Sequence, residues 1–158
     1  EGAEPLGPVP VQPGGPRILA GAMGPKAMRR AAQWADGISG FDIAGNARAI
    51  GKVNDLADRC WREAGREAPP TKISGCFVAV GVEDSAETLR SFTARYLGFL
   101  GPDLAGAIAP TATANTSEAL RTVLDGAEQA GCDEFIVVPA TTDLRCLDVA
   151  ADVVAGRA

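Results

Sequence analysis

Histidine is absent from this 158-residue chain. That excludes Ser-His-Asp triads, histidine proton relays within the chain and the usual zinc sites. Aromatic residues make up only 5%, with one tyrosine and two tryptophans. Alanine and glycine are abundant instead, so helices and strands are expected to pack closely rather than as an aromatic-rich sandwich. No apolar run approaches the roughly 20 residues that span a bilayer, and no secretory signal is visible. Basic residues are outnumbered, 15 to 20, and the formal net charge is -5 with no basic stripe. This excludes nucleic-acid binding, which needs clustered Lys and Arg. The cysteines, Cys60, Cys76, Cys132 and Cys146, lack CxxC spacing. They read as reduced, mostly buried thiols rather than metal ligands or disulfides, and a cytoplasmic location follows. The first residue is Glu1 rather than Met, which reads as a processed protein or part of a longer product.

What is there is an ordinary globular mix, 46% hydrophobic and 22% charged, long enough for one domain with a sizeable core. Residues 1–16 hold Pro5, Pro8, Pro10, Pro13, Gly14, Gly15 and Pro16. They form neither helix nor central strand and read as a lead-in or linker. Residues 17–158 form the domain. Strands are expected over Arg17–Ala22, Ile38–Phe41, Lys72–Val82 and Phe135–Pro139. Helices are expected over Lys26–Asp36, Asn46–Ala64 and Ala86–Leu97, from Thr116 or Ser117 to Ala130, and over Leu144–Val154, with a helical turn near Leu104–Ile108. Gly37, Gly65 and Gly131 close three of these helices, and Asp84 and Glu87 have capping-box spacing. Trp34 and Trp61 fall on apolar helix faces and read as core. In the last helix Leu144, Leu147, Ala151 and Val154 share one face. Strict alternation of strand and helix implies βα units on a parallel sheet, either a small open sheet or half of an eight-stranded barrel.

Ile18–Met28 is the most informative segment. A short apolar run ends in Gly21-Ala22-Met23-Gly24, and a helix follows with Pro25 in its first turn. Backbone N–H groups at a helix start lack intrahelical partners, and the helix dipole adds partial positive charge there. Gly21, Ala22, Met23, Gly24 and Lys26 are therefore candidate phosphate-binding residues, with Lys26 either adding charge or lying in solvent. The other reading is an ordinary tight βα turn, since the segment is neither a Walker loop nor GxGxxG. The loop Ala140-Thr141-Thr142-Asp143 is a second candidate, in which Thr142 or Asp143 alternatively caps the last helix. Asp36 either lines a site or bonds nearby backbone. No nucleophile–base pair and no metal site is present in the sequence.

The run from Pro16 to Gly37, with its Gly24-Pro25-Lys26-Ala27-Met28 and Ala35-Asp36-Gly37, resembles the middle segment of luciferase-like monooxygenases. Ala127 to Pro139, with Ala130-Gly131 and the acidic pair Asp133-Glu134 before an apolar strand, is similar to that family's last helix and strand. The family comprises flavin-dependent monooxygenases and coenzyme F420-dependent oxidoreductases on a TIM-like barrel. The resemblance implies that the four strands here are the fifth to eighth, with the phosphate of FMN or F420 at the turn after the first of them. It also implies a small-molecule substrate and a partner half-barrel, supplied as a missing N-terminal half or a second copy. The protein is then an oxidoreductase component whose cofactor carries the redox chemistry. Alternatively, it is a non-catalytic half-barrel that holds cofactor or mediates oligomerisation. Two open sheet edges and an apolar inner face imply that the chain is not a monomer.

Overall fold

The computed structural model describes residues 7, 8 and 10–157. Most of the lead-in's first residues (1–6 and 9) and Ala158 lie outside the described residues. From Pro10 to Pro16 the chain forms no helix or strand.

Four strands, β1 (Leu19–Ala20), β2 (Gly37–Ser39), β3 (Thr71–Val78) and β4 (Glu134–Pro139), make one parallel sheet in sequential order. The helices are α1 (Gly24–Ala31), α2 (Ala47–Glu63), α3 (Ser85–Tyr96), α4 (Pro102–Ile108), α5 (Ser117–Gln129) and α6 (Leu144–Ala155). This is the α/β fold of four parallel strands that the alternation implied. The central strand β3 is buried along most of its length, as a parallel strand covered on both faces should be.

Alternation along the strands sorts the core. Ala20 and Ile38 pack with Met28, Ala31, Cys60 and Trp61 of α1 and α2. Cys76 and Val78 pack with Leu120, Leu124, Cys146 and Ala150 of α5 and α6. On the opposite face, Phe77 and Ala79 meet Leu89 and Phe92 of α3. Thus α1, α2, α5 and α6 line one face, while the α3 region covers the other toward the C-terminal strand ends. At the N-terminal ends, Arg17 reaches across that second face to Thr71 Oγ1 at 3.2 Å and toward Glu134 at 3.9 Å.

Two aspartates fix the strand register in the same way. Asp36 donates its N–H to the Ile18 carbonyl at 2.8 Å, and its carboxylate accepts the Ile18 N–H at 2.7 Å. Asp133 does the same with Lys72, at 2.8 and 2.7 Å. Each satisfies a backbone donor at a strand start with a charge-assisted bond. Asp36 is therefore a backbone clamp at the end of the sheet opposite the strand C-termini. We expect Asp133→Asn to cost about 1–2 kcal/mol in urea unfolding, because the carboxylate loses its charge.

Several expectations need correction. Helix α1 ends at Ala31 rather than Asp36, because Asp36 is already held in strand geometry against Ile18. Gly37 accordingly begins β2 and does not close the helix. Trp61 is in the core, but Trp34 is 58% exposed, since the helix has ended before its turn of the stripe. The Asp84–Glu87 capping box does not form. Asp84 adopts a left-handed conformation (φ 46°), and the Glu87 carboxylate is taken by Arg90 and Ser91. Strand β3 ends at Val78, short of Val82, because the Ala79 N–H donates to Ala114 and leaves the ladder. In α6 the buried face is Cys146, Ala150 and Val153, whereas Leu144, Leu147 and Val154 are exposed. Small residues let the helix approach the sheet, with Cys146 Sγ 3.9 Å from the Val78 carbonyl, and the leucines are left outside.

Candidate functional site

Sequential parallel strands bring the loops after β1, β2, β3 and β4 to one end of the sheet, where α/β proteins place their ligands. After β1 the chain runs through Gly21, Ala22 and Met23 and enters α1 at Gly24. Met23 is extended (φ −114°, ψ 127°) and makes no side-chain cap. Gly24 has φ +79°, a conformation that disfavours any side chain. A Cβ at Gly21 or Gly24 would meet nothing within 4 Å, so the turn faces open space. The Gly24 and Lys26 amides lie in the first turn, where a helix supplies no carbonyl acceptors. Pro25, in that same turn, removes one donor and presets its conformation. Lys26 is exposed and has no ion-pair partner among the described residues.

The other three helices on this face are capped by their own sequence. Asn46 accepts the Ala49 N–H, Thr116 the Ala119 N–H and Asp143 the Arg145 N–H. In α1 that place is held by a methionine, and its first-turn donors remain available to an oxyanion. The structure thus puts Gly21, Ala22, Met23, Gly24 and Lys26 on one continuous turn whose donors and dipole suit a phosphate.

The loop after β4 is built differently. Asp143 caps α6, and Thr141 Oγ1 accepts the Asp143 N–H at 3.2 Å. Thr142 therefore does not cap. Arg145 pairs with the Asp143 carboxylate at 2.5 Å and, through its hydrogen bonds, holds that carboxyl below its ordinary value. A carboxyl depressed in the folded state stabilises above its unfolded pKa, and that contribution is lost as pH falls through the folded value. We expect the Asp143 carboxyl to titrate below 3.8 by NMR, so the α6 cap persists until stronger acid than an ordinary aspartate allows.

Between these loops lie hollows of modest size. One of about 160 Å³ runs from Met23 to Phe41, Asp42, Val53 and Asn54, beneath the candidate turn. Another, about 310 Å³, is lined by Phe92, Arg95, Pro139, Ala140, Thr141 and Thr142. Phe41, Phe77, Phe92 and Tyr96 form an aromatic cluster with ring centroids 4.7–5.0 Å from Phe77. Sequence reasoning missed Arg95 and this cluster, because the pieces come from the loop after β2, from β3 and from α3, and meet only in the fold.

Cys60, Cys76 and Cys146 are buried and Cys132 is half-buried. Burial, with the Asp42 charge adding, pushes Cys76 up to about 12, and burial also pushes Cys132 up. All four cysteines are free. Iodoacetamide at pH 8 should leave Cys76 unmodified in the native chain and label it after denaturation, read by mass spectrometry. Among the described residues no group of three or more acidic or cysteine side chains could hold a metal, and no helix is long and apolar enough to cross a membrane.

No protein-family model matches the chain, and no curated protein matches its sequence. Solved structures do match its fold. An F420-dependent secondary alcohol dehydrogenase, solved with an F420–acetone adduct, superposes with a TM-score of 0.58 at 17% identity, over 84% of this chain and 46% of its own. Monooxygenase RslO1 from Streptomyces bottropensis gives 0.59 at 16% identity, over 93% and 50%. MsnO8, in its apo form, gives 0.61 at 19% identity, over 97% and 55%. These likenesses show a shared fold of four parallel strands with covering helices, matched to about half of each solved structure. The chain spans about half the length of the solved structures it matches.

Proposed function

We propose that this chain is the cofactor-phosphate-holding half of an F420- or flavin-dependent oxidoreductase, with residues 17–158 as one half-barrel domain. The observation that carries the reading is the α1 N-terminus. It lies at the C-terminal end of β1, has no side-chain cap and opens through a positive-φ glycine. Its fold is shared with an F420-dependent dehydrogenase and a monooxygenase. When bound, the flavin or deazaflavin supplies the electron transfer. The residues of this chain would bind and orient it: the Gly24 and Lys26 amides would donate to the phosphate oxygens, and the Lys26 ammonium would add charge. The alternative, a non-catalytic module, shares the same anchor and lacks turnover.

The test compares ligands with and without phosphate. FMN is titrated against riboflavin, and F420 against its chromophore without the phosphodiester, by fluorescence. One of the two phosphate-bearing cofactors should bind at least about 10-fold tighter than its phosphate-free counterpart, with Lys26→Ala removing part of that difference. Equal binding within both pairs would contradict the reading.

A second part of the proposal concerns association. The sheet leaves one edge of β1 and one of β4 unpaired among the described residues. Ile136 on β4, Trp34 beside β1 and Leu144 and Leu147 on α6 are all exposed. Such edges and apolar faces need cover, and we infer that another half-barrel supplies it.

A further inference from the structure

We propose that the hollow between α3 and the end of β4 is a carboxylate-binding subsite, and that the substrate is a small acid whose carboxylate pairs with Arg95. The inference deepens the oxidoreductase reading and rests on it for what is done to the acid, but not for its binding.

The hollow holds about 310 Å³, the lower end of the range for small-molecule sites. Its polar groups converge from two elements. Arg95 comes from the last turn of α3, and Thr141 and Thr142 follow β4. The Arg95 guanidinium lies 5.8 Å from the centroid of the Phe92 ring, a cation–π distance that orients it. Among the described residues it has no hydrogen-bond or ion-pair partner, so its planar fork of donors is open to a carboxylate. Thr141 Oγ1 uses a lone pair to accept from the Asp143 N–H, which leaves its O–H to donate. Thr142 is exposed and is not engaged in any side-chain hydrogen bond among the described residues.

The neighbouring carboxylate, Asp143, is paired with Arg145, and so does not compete for Arg95. One guanidinium and two hydroxyls match a monoanion better than a phosphate dianion. The remaining lining, Phe92, Pro139 and Ala140, is apolar and suits a hydrocarbon or aromatic frame behind the carboxylate. The subsite opens at the same end of the sheet as the Gly21–Lys26 turn, so an acid held here lies on the side where the cofactor is proposed to bind.

The experiment is an amide NMR titration of the full chain with benzoate and, separately, with inorganic phosphate. Benzoate should shift the Thr141, Thr142 and Arg95 resonances and bind at least about 10-fold more weakly to Arg95→Ala, with Arg95→Lys intermediate. Thr142→Val should weaken it about 3–10-fold. Both substituted positions, Arg95 and Thr142, are exposed, and an otherwise unchanged amide spectrum verifies the fold of each variant. Phosphate should shift the Gly21–Lys26 amides instead. If phosphate moves nothing while benzoate still shifts Thr141 and Thr142, the phosphate-anchor reading falls and the subsite stands. Benzoate shifts that map to Gly21–Lys26, an unchanged affinity in Arg95→Ala, or no shift at all would overturn the subsite.

Discussion

Gly37→Ala should destabilise the chain by about 3 kcal/mol or more, and urea unfolding will show it as a lower midpoint with an unchanged slope. A Cβ on Gly37 would sit 2.1 Å from the Thr71 carbonyl oxygen and 2.8 Å from the Thr71 Cβ. Both are far inside van der Waals contact, and the oxygen is backbone, so no side-chain rotation relieves the clash. β2 would have to move away from β3, and their register runs through this residue (Gly37↔Thr71). The neighbouring clamp would go with it, since Asp36 holds Ile18 with its carboxylate and accepts the Thr71 N–H on its carbonyl. Gly65→Ala is the matched control. Gly65 has φ +71° but open space around its Cβ position, so only conformational strain is added, about 1 kcal/mol. If Gly37→Ala cost no more than Gly65→Ala, the close approach of β2 and β3 would be wrong.

The second large effect is on assembly. The wild-type chain should elute above monomer mass in size-exclusion chromatography with light scattering. Leu144→Lys combined with Leu147→Lys should return it to monomer. Leu144 is 73% exposed and Leu147 54% exposed, one turn apart on the outer face of α6. Covering two leucines is worth about 1.5–3 kcal/mol each, so charging both should weaken association by at least about 100-fold. Neither side chain contributes to the buried face of α6, which is Cys146, Ala150 and Val153. The double variant should therefore keep its helical signal and its unfolding midpoint. A wild-type chain that is a monodisperse monomer would contradict this part of the account.

The pattern of strands and helices was legible because each element carries its own signal. β3 lies in the near-continuous apolar run of residues 72–82, and α2 holds Ile50, Ala57, Cys60 and Trp61 at helical spacing between the Asn46 cap and Gly65. The candidate turn could be located for the same reason, since Gly21–Lys26 is contiguous, and its binding of phosphate is the proposal. The readings that failed depend on tertiary geometry. α6 has two apolar stripes, and only its closeness to β3 selects the one with Cys146 and Ala150. Trp34 looked buried while the helix was assumed to continue, but the pairing of Asp36 with Ile18 ends it first. The Asp84–Glu87 box had the right spacing, yet the left-handed backbone at Asp84 leaves the cap unformed. The Arg95 hollow has no local signature, since α3 and β4 are separated in sequence by α4 and α5.

The resemblance motif also has a physical content that its letters hide. In Ala35-Asp36-Gly37 the alanine is buried against Met28 and Trp61, the aspartate clamps Ile18 and the glycine admits the Thr71 carbonyl. These residues stabilise the N-terminal end of the sheet. Ligand binding is proposed at the other end, on Gly21–Lys26. One half of the motif thus serves the fold and the other is available for function, a division also drawn in barrels between their two ends.

The most direct test of the central claim is a crystal structure of the chain grown with F420 and, in parallel, with FMN. The phosphate of one of them should lie within hydrogen-bond distance, about 2.7–3.2 Å, of the Gly24 and Lys26 amides at the start of α1. A cofactor phosphate held elsewhere, with that turn facing only solvent, would contradict it.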